Sequence, residues 1–496
     1  MARLAQIVIF GASGDLTSRK LIPALLRNFA EDNFRGPIQV IGVSRSDKTP
    51  EEWHAELTGW IPEHLLESWE HFKPHLSWKR ADAAVPHQVE TLEGHLDGLA
   101  LNAGEDPSLV GRLFYLALAP SLFAPTVEAL SKQGLVDCEP EATEGWRRVV
   151  VEKPFGTDLH SANRLNTLLH RHLREEQIFR IDHYLGKETV QNILSLRFQN
   201  AIFEPLWNRK HLESVEISVC ETVAMEGKRG AYYDKAGASR DMLQNHVLQV
   251  LALIAMEPPS SMKPDAVRNE KVKVLDALRS FAPEEVRTHV VRAQYAKSEV
   301  REHDYREEYG VADDSQTETY LAVRALIDNW RWSGVPFLLR TGKALNKRFT
   351  EVVLRFKTPP LDLLNGPLPG DVCALRPNDL HILIQPVEGV RLSFLVKKPG
   401  AGMIMQRSVL GFDYSDLDAG PTPDAYQRLL LDAINGNPTL FIRGDEVEAA
   451  WRFVDAIRAG WEANDGPVHS YPAGSMGPDE ANALFQGCEG LWTEGT

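Results

Sequence analysis

Cysteine is scarce in this sequence. The 496 residues include only Cys138, Cys220, Cys373 and Cys488, which lie far apart and form no C-x-x-C pair. Their spacing therefore offers neither a zinc motif nor a disulfide framework. A chain without such a framework fits a reducing compartment, so we expect a cytoplasmic protein that holds no metal.

Long apolar runs and an excess of positive charge are also missing. No stretch approaches the roughly 20 apolar residues that span a bilayer, and the apolar run near the N-terminus is too short for a signal peptide. The net charge of −15 disfavours general binding to nucleic acid or to an anionic membrane surface. We therefore expect a small-molecule ligand, and any bound anion needs positive charge gathered locally.

The first third of the chain alternates short apolar runs with helix-like segments. Apolar runs separated by helices are typical of a parallel sheet that is covered on both faces. They predict a Rossmann-like α/β domain over residues 1–180. The four runs are IVIF (7–10), IQVIGV (38–43), LFYLALA (113–119) and RVVVEK (148–153).

Beyond about residue 180, apolar and polar residues alternate, as in half-buried antiparallel strands. Examples are HLESVEISVCET, EVVLRFK, DLHILIQP and GVRLSFLVKK. Two longer segments, MLQNHVLQVLALIAM (242–256) and TETYLAVRALIDNW (317–330), are interpreted as helices. Residues 181–496 are therefore predicted to form a larger α+β domain with a mostly antiparallel sheet.

The first apolar run leads directly into a glycine turn. Backbone N–H groups and a helix N-terminus at such a turn suit a pyrophosphate. G-x-x-G alone is a weak signal, because many strand-to-helix turns need glycine for steric reasons only. The candidate cofactor-binding residues of this turn are Gly11, Ala12, Ser13, Gly14, Asp15 and Leu16.

The end of the second apolar run bears on the identity of the cofactor. NAD enzymes usually place a carboxylate there for the ribose 2′-hydroxyl. This sequence instead has Ser44-Arg45, with no carboxylate before Asp47. An arginine at that place suits a 2′-phosphate, so the two features together favour NADP over NAD, although dual use of both coenzymes stays open.

Residues 180–188 read RIDHYLGKE, and the helical spacing that follows predicts a helix beginning near Gly186. His183, Tyr184 and Lys187 then lie beside a helix N-terminus, where three donors would form a phosphate pocket. From this stretch alone, a solvated turn with a stray lysine explains the pattern equally well.

His246 shares a helical stripe with Met242, Val250 and Leu253, which by default indicates a core histidine. A partly buried histidine beside an aspartate is also how a general base is built. Sequence spacing alone cannot bring Asp182 and His246 together.

Six motifs follow one another along the chain: GASGDLTSRKLIPAL, EKPFGTDL, RIDHYLGKE, GAYYDKAGASRDMLQNH, VPFLLRTGKAL and AYQRLLLDAI. Taken in order, they resemble the glucose-6-phosphate dehydrogenase family from about residue 7 to about residue 460. RIDHYLGKE is the most specific of them, whereas the glycine turn and EKP also occur in other sugar dehydrogenases.

The resemblance implies oxidation of the C1 hydroxyl of glucose 6-phosphate to the lactone, with hydride transfer to NADP⁺, as the first step of the oxidative pentose phosphate pathway. By motif, His246 would be the base and Asp182 would orient its ring. The other residues that the resemblance implies are His183, Tyr184 and Lys187 for the phosphate, Glu221 and Asp241 for sugar hydroxyls, Lys343 and Arg348 for the sugar or its phosphate, and Lys20 and Lys153 between substrate and coenzyme.

Some alternatives stay open at this point. Lys347 is an adjacent candidate for the role given to Arg348. The chain could also be a related NAD(P)-dependent sugar oxidoreductase, or an inactive relative with a regulatory role. The family suggests a homodimer or homotetramer formed through the large sheet of the second domain.

Overall fold

The computed structural model describes residues 3–137, 145–227, 229–359, 378–416, 423–464, 466–485 and 492–495. The strands of these residues are β1 (Ala5–Phe10), β2 (Ile38–Ser44), β3 (Leu76–Arg80), β4 (Gly111–Leu116), β5 (Arg147–Val151), β6 (Ile178–Ile181), β7 (Leu212–Cys220), β8 (Val290–Ala296), β9 (Tyr320–Leu326), β10 (Pro336–Gly342), β11 (Phe349–Phe356), β12 (Asp379–Gln385), β13 (Gly389–Lys397), β14 (Met405–Asp413), β15 (Phe441–Ile442) and β16 (His469–Pro472).

The α-helices are α1 (Ile22–Ala30), α2 (Pro50–Thr58), α3 (Leu66–Phe72), α4 (Pro86–Asn102), α5 (Phe123–Lys132), α6 (Leu159–His172), α7 (Glu188–Phe198), α8 (Arg229–Ala238), α9 (Leu248–Ala255), α10 (Pro264–Asp276), α11 (Val286–His289), α12 (Ala425–Asn435) and α13 (Gly444–Asn464). Two π-helical segments, Thr17–Leu21 and Ser239–Val247, lie directly before α1 and α9. Within these residues, the structure has no helix that is both long and apolar enough to cross a membrane.

The chain divides into two compact units. The first consists of Met1–Gly186, Ser261–Arg268 and Pro423–Glu448, and the second of Lys187–Ser260, Asn269–Thr422 and Ala449–Thr496. These units differ from the domains proposed from the sequence, 1–180 and 181–496, because the first unit ends six residues later and takes in two distant segments. Sequence order alone carries no signal for such returning segments.

The first unit is built on a seven-stranded sheet in the order β15-β6-β5-β4-β1-β2-β3. Its pairs are parallel except the short β15 against β6. Central strand β1 pairs Ile7 with Val40 of β2 and with Leu113 of β4. All residues of β1 and β4 are buried, which explains why both strands are mainly apolar. Their two strongly polar residues hydrogen-bond to each other, since the Arg112 guanidinium donates to Gln6 Oε1 at 3.0 Å. The predicted parallel Rossmann-like sheet is confirmed.

The second unit is built on a nine-stranded sheet in the order β14-β13-β12-β11-β7-β10-β9-β8-β16. The pairs β7–β10 and β8–β16 are parallel, and the others are antiparallel. The predicted mostly antiparallel sheet is therefore also confirmed. The parallel pair at its centre places the ends of β7 and β10 side by side, since Cys220 pairs with Gly342.

The prediction of a helix over residues 317–330 is wrong. Tyr320–Leu326 is strand β9, which lies between β10 and β8. Six of its seven residues are buried, and all except Arg324 are apolar or aromatic, so the alternation of apolar and polar residues that marks a half-buried strand is absent. The predicted helix over 242–256 is present, although its first half is π-helical.

Candidate active site

The glycine turn after β1 has a clear steric cause. Gly11 has a φ of +79°, and a Cβ at this position would lie 2.1 Å from the carbonyl oxygen of Ala117. The N–H of Gly14 donates to the carbonyl of Gly11 at 2.9 Å, which closes the turn. Only glycine fits the first position, and the backbone can therefore approach a ligand closely.

The side of the turn that faces solvent is formed by Ser13, Gly14 and Asp15, while Ala12 is buried and Leu16 is half-buried. The helix begins at Asp15, so the N–H groups of its first turn have no intrahelical acceptor. Gly11 cannot be replaced by a residue with a Cβ, and a helix N-terminus follows it. This arrangement fits the pyrophosphate of a dinucleotide.

A hydrogen bond joins the turn to the end of β2. The hydroxyls of Ser13 and Ser44 lie 3.0 Å apart, and Arg45 follows as an exposed residue. Arg80 is paired with Ser44 in the sheet register, and its guanidinium contacts Asp47 at 3.3 Å. Arg80 is thus a second cation near the end of β2, and sequence reasoning missed it because its neighbour in the sheet lies 36 residues earlier.

Lys153 follows β5 and is half-buried, and its peptide bond to Pro154 is cis. The preceding residue, Glu152, accepts hydrogen bonds from the hydroxyls of Tyr115 at 2.5 Å and Tyr426 at 3.4 Å. Burial raises the pKa of Glu152, although these hydrogen bonds oppose the shift. Sequence reasoning missed this half-buried carboxyl group, despite its place in the EKP motif.

Asp182 and the residues after it form a tight turn at the end of β6. Asp182 is buried, and its Oδ1 accepts the N–H of Tyr184 at 2.9 Å. The ring of His183 lies 5.2 Å from the ring of Tyr184 and is stacked 6.4 Å from Tyr426. His183 is half-buried, so its imidazole is held between aromatic rings while part of its surface is exposed.

Lys20 lies in the π-helical segment that follows the glycine turn. Its Nζ contacts Asp424 Oδ2 at 3.2 Å, and its side chain is 49% exposed. The turn and the substrate candidate Lys20 thus belong to one continuous segment of the first unit.

Lys187 is the first residue of the second unit and the N-cap of α7, so this helix begins at Glu188, two residues later than predicted. The Lys187 ammonium donates to Gln385 Oε1. Gln385 in turn donates to Thr350 Oγ1 at 2.9 Å, which fixes the orientation of its amide. Gln385 is a further site candidate that the sequence reasoning missed.

Glu221 and Lys343 directly follow the two parallel strands at the centre of the large sheet. The Lys343 ammonium forms an ion pair with Glu221, and its Nζ lies 5.6 Å from the centre of the Tyr233 ring. Because parallel strands end at the same edge, residues 122 positions apart come into contact. A carboxylate beside an ammonium group at this edge can bind a sugar hydroxyl from both sides.

Asp241 and His246 lie in the π-helical segment Ser239–Val247, where His246 is 1% exposed. In an α-helix, residues five apart point roughly 140° from one another. A π-helix hydrogen-bonds residues five apart, so Asp241 and His246 lie about one turn apart on the same side. The helix type therefore brings two predicted site residues together, which the sequence did not reveal.

Arg348 and Lys347 are both exposed near the start of β11. The Lys347 ammonium donates to the carbonyl of Gly495 at 2.7 Å, so this side chain is directed toward the C-terminal segment.

A parallel sheet with a glycine turn for a dinucleotide, together with a second unit that carries a histidine and charged groups for a polar substrate, defines a nicotinamide-dependent oxidoreductase. Two family models match the chain: "Glucose-6-phosphate dehydrogenase, NAD binding domain" over residues 8–192 and "Glucose-6-phosphate dehydrogenase, C-terminal domain" over residues 194–493. The chain belongs to the glucose-6-phosphate dehydrogenase family.

Individual relatives agree with this assignment. The chain is 43% identical to glucose-6-phosphate 1-dehydrogenase of Rhizobium meliloti, over 98% of this chain and 97% of that protein. It is also 43% identical to the enzyme of Aggregatibacter actinomycetemcomitans, over 98% of this chain and 96% of that protein.

Solved structures agree with the fold. A glucose-6-phosphate dehydrogenase in complex with glucose 6-phosphate matches with a TM-score of 0.87 at 33% identity, covering 97% of both chains. The glucose-6-phosphate 1-dehydrogenase of Mycobacterium avium matches with a TM-score of 0.82 at 35% identity, covering 99% of this chain and 98% of the other.

Proposed function

We propose that this protein oxidises the C1 hydroxyl of D-glucose 6-phosphate to 6-phospho-D-glucono-1,5-lactone, with NADP⁺ as the hydride acceptor. The observation that carries this proposal is the match of both family models, in order, over nearly the whole chain. The charged groups at the centre of the second unit support it, because they suit a polyhydroxylated, anionic substrate.

The coenzyme is held by the glycine turn of the first unit. Gly11 lets the backbone approach the pyrophosphate, and Ser13, Gly14 and Asp15 present the exposed side of the turn. Arg45, which is exposed at the end of β2, binds the 2′-phosphate and favours NADP⁺ over NAD⁺. When bound, the nicotinamide supplies the chemistry of hydride acceptance, so the protein has to bind, orient and move one proton.

The substrate is held through its phosphate and its hydroxyls. His183, Tyr184 and Lys187 bind the phosphate, because imidazole, phenol and ammonium groups all donate to phosphate oxygens. Glu221, Asp241 and Lys343 bind the sugar hydroxyls, and Arg348 and Lys20 complete the charged set. Binding energy from the phosphate end, which is remote from C1, then orients the reacting end.

His246 removes the proton of the C1 hydroxyl as the hydride leaves C1. Its ring nitrogen gains the proton, and the imidazolium that results is stabilised by the carboxylate of Asp182, which also fixes the tautomer of the ring. Lys153 lies beside the reacting groups and positions the coenzyme with respect to the substrate.

The test measures the absorbance of reduced nicotinamide with purified protein, glucose 6-phosphate or free glucose, and NADP⁺ or NAD⁺. We expect turnover with glucose 6-phosphate and a higher kcat/KM with NADP⁺ than with NAD⁺. Equal kcat/KM for free glucose and glucose 6-phosphate would favour a related sugar oxidoreductase. No turnover with either coenzyme would refute the proposal.

We also propose that the protein acts in the cytoplasm as a homodimer or homotetramer. The cytoplasmic location is supported by the scarcity of cysteine and by the lack of a spacing that suggests a disulfide framework. The family resemblance supports assembly through the large sheet of the second unit.

A further inference from the structure

The residue that caps the N-terminus of α12 is an aspartate whose two carboxylate oxygens have separate partners. Asp424 is the N-cap of this helix, and its Oδ1 accepts the N–H of Tyr426 at 2.9 Å. Its Oδ2 contacts Lys20 Nζ at 3.2 Å, although the two residues are 404 positions apart in the sequence. One carboxylate oxygen therefore caps the N-terminus of the helix, and the other forms an ion pair with Lys20, a candidate substrate-binding residue.

The two residues after Asp424 contact the RIDHYLGKE stretch. A Cβ on Gly186 would lie 2.7 Å from the carbonyl oxygen of Ala425, so the chain segments are in close contact there. The Tyr426 ring is stacked on His183, with the ring centres 6.4 Å apart and the planes inclined by 10°. The N-cap and the first two residues of α12 thus contact the site candidates Lys20 and His183 and the intervening Gly186 of the RIDHYLGKE stretch.

The helix that carries this turn is itself fixed within the first unit. The buried Asn28 amide donates to the carbonyl of Gln427 at 2.9 Å, and the Gln427 amide donates to Glu31 at 2.7 Å. Asn28 lies on α1 and Glu31 directly follows this helix, which itself continues from the segment that contains Lys20. These hydrogen bonds hold the N-terminal end of α12, and with it Asp424, next to the segment that carries Lys20.

We propose that Asp424 is a positioning residue for substrate binding, which holds the Lys20 ammonium in the orientation that the substrate requires. This inference rests on the proposed function. A lysine side chain loses much rotamer freedom when it is fixed, and a carboxylate that fixes it beforehand lowers the entropic cost of binding.

The chemistry of the ammonium group allows both contacts at once. Lysine has three N–H donors, so Lys20 can keep Asp424 as one acceptor and donate to the substrate with another. A partly exposed ion pair of this kind contributes little to the stability of the folded protein. The effect is therefore expected in substrate affinity rather than in thermal unfolding.

The test is Asp424→Asn, which removes the charge and keeps an N-cap side chain of nearly equal quality. We expect the KM for glucose 6-phosphate to rise about 3- to 10-fold, since a weak charged contact of about one kcal/mol corresponds to such a factor. The kcat and the Tm should stay near those of the unaltered protein. Asp424→Glu, which restores the carboxylate, should recover part of the lost affinity.

A double-mutant cycle with Lys20→Gln separates positioning from a structural role. If Asp424 acts through Lys20, Asp424→Asn should add nothing to the KM of the Lys20→Gln variant. Arg428→Gln is the matched control, because Arg428 forms an ion pair with Asp432 at 3.3 Å on the same helix. This control should leave the KM unchanged.

Three results would overturn the inference: an unchanged KM in Asp424→Asn, a full additional increase in the Lys20→Gln background, or a lower KM. A lower KM would mean that Asp424 competes with the substrate for the ammonium group. Failure of the unaltered protein to oxidise glucose 6-phosphate would instead refute the proposed function, so the two failures are distinguishable.

Discussion

His246 lies in a buried segment of mixed polarity, in which Gln244 and Asn245 precede it and the apolar Val247 and Leu248 follow it, and all of these residues are buried. From the sequence, such a histidine is by default part of the core. Burial alone does not separate a core histidine from a base, because both are removed from solvent. The π-helical segment places Asp241 on the same side of the helix as His246, which fits the role that we propose for this histidine.

Substitution of His246 tests its proposed role as the general base. His246→Asn should lower kcat for glucose 6-phosphate by about 10²–10⁴-fold, the range of general-base catalysis, and leave substrate binding largely intact. Steady-state kinetics and binding titration measure the two effects. His289→Asn, the same change on α11, is the control and should keep normal kcat. An unchanged kcat in His246→Asn would exclude this residue as the base.

The predicted preference for NADP⁺ over NAD⁺ depends on Arg45. Arg45→Ala should raise the KM for NADP⁺ by about 10- to 100-fold, because a charge-assisted contact to the 2′-phosphate of about 1.5–3 kcal/mol is lost. The KM for NAD⁺, which lacks this phosphate, should change little. Arg35→Ala removes another exposed arginine of the same unit and should affect neither coenzyme. Equal losses for NADP⁺ and NAD⁺ in Arg45→Ala would contradict the assignment.

At the scale of elements, β6 is held in place by a buried cation. Arg180 is fully buried and contacts Glu175 at 2.7 Å and Asn166 at 3.0 Å. Burial acts to raise the pKa of Glu175, but the Arg180 charge and hydrogen bonds outweigh it and hold that pKa below its ordinary value. This contact stabilises the strand that leads directly into Asp182.

The lowered pKa of Glu175 predicts that the contribution of this residue to the free energy of unfolding depends on pH. Because the folded-state pKa of Glu175 lies below the unfolded value of about 4.5, its contribution is complete above that pH and is lost as the pH falls through the folded pKa. Glu175→Gln should therefore lower the free energy of unfolding by about 2–3 kcal/mol at pH 7 and by less at low pH.

Urea denaturation at pH 7 and pH 4 measures this difference. Glu176→Gln changes the exposed neighbour of Glu175 and is the control, with an expected effect near zero at both pH values. A deficit in Glu175→Gln that stays constant between pH 7 and pH 4 would show that the charge of Glu175 is not its cause.

At the scale of the whole molecule, the large sheet leaves an apolar surface on its edge strand. β14 lies at one end of the nine-stranded sheet, and its Val409, Leu410 and Phe412 are exposed. Exposed apolar residues on an edge strand are typical of a surface that is covered by another chain. This surface lies on the sheet that we propose for assembly.

Leu410→Asp should therefore weaken the proposed oligomer, because a charge would be buried in an apolar interface. Light scattering over a concentration series should give a lower mass for the variant than for the unaltered protein. Leu101→Asp, at an exposed leucine on α4, should leave the mass unchanged. An unchanged mass in Leu410→Asp would exclude β14 from the interface.

Local patterns in the sequence were sufficient for the two kinds of sheet. The continuous apolar runs within β1 and β4 indicated strands buried on both faces, and the alternation of apolar and polar residues indicated β12 and β13. The same rule failed at β9, because a strand buried on both faces and rich in alanine and leucine has the composition of a buried helix. The order of the motifs along the chain was also sufficient to predict membership of the glucose-6-phosphate dehydrogenase family.

Only the tertiary structure revealed which distant residues are neighbours. It placed Glu221 beside Lys343 because two parallel strands end at one edge, and it placed Asp424 beside Lys20 because a late segment returns to the first unit. Helical and strand patterns arise from contacts within a few residues, so a sequence records them directly. Contacts between remote segments depend on how whole elements pack, and no local pattern encodes that packing.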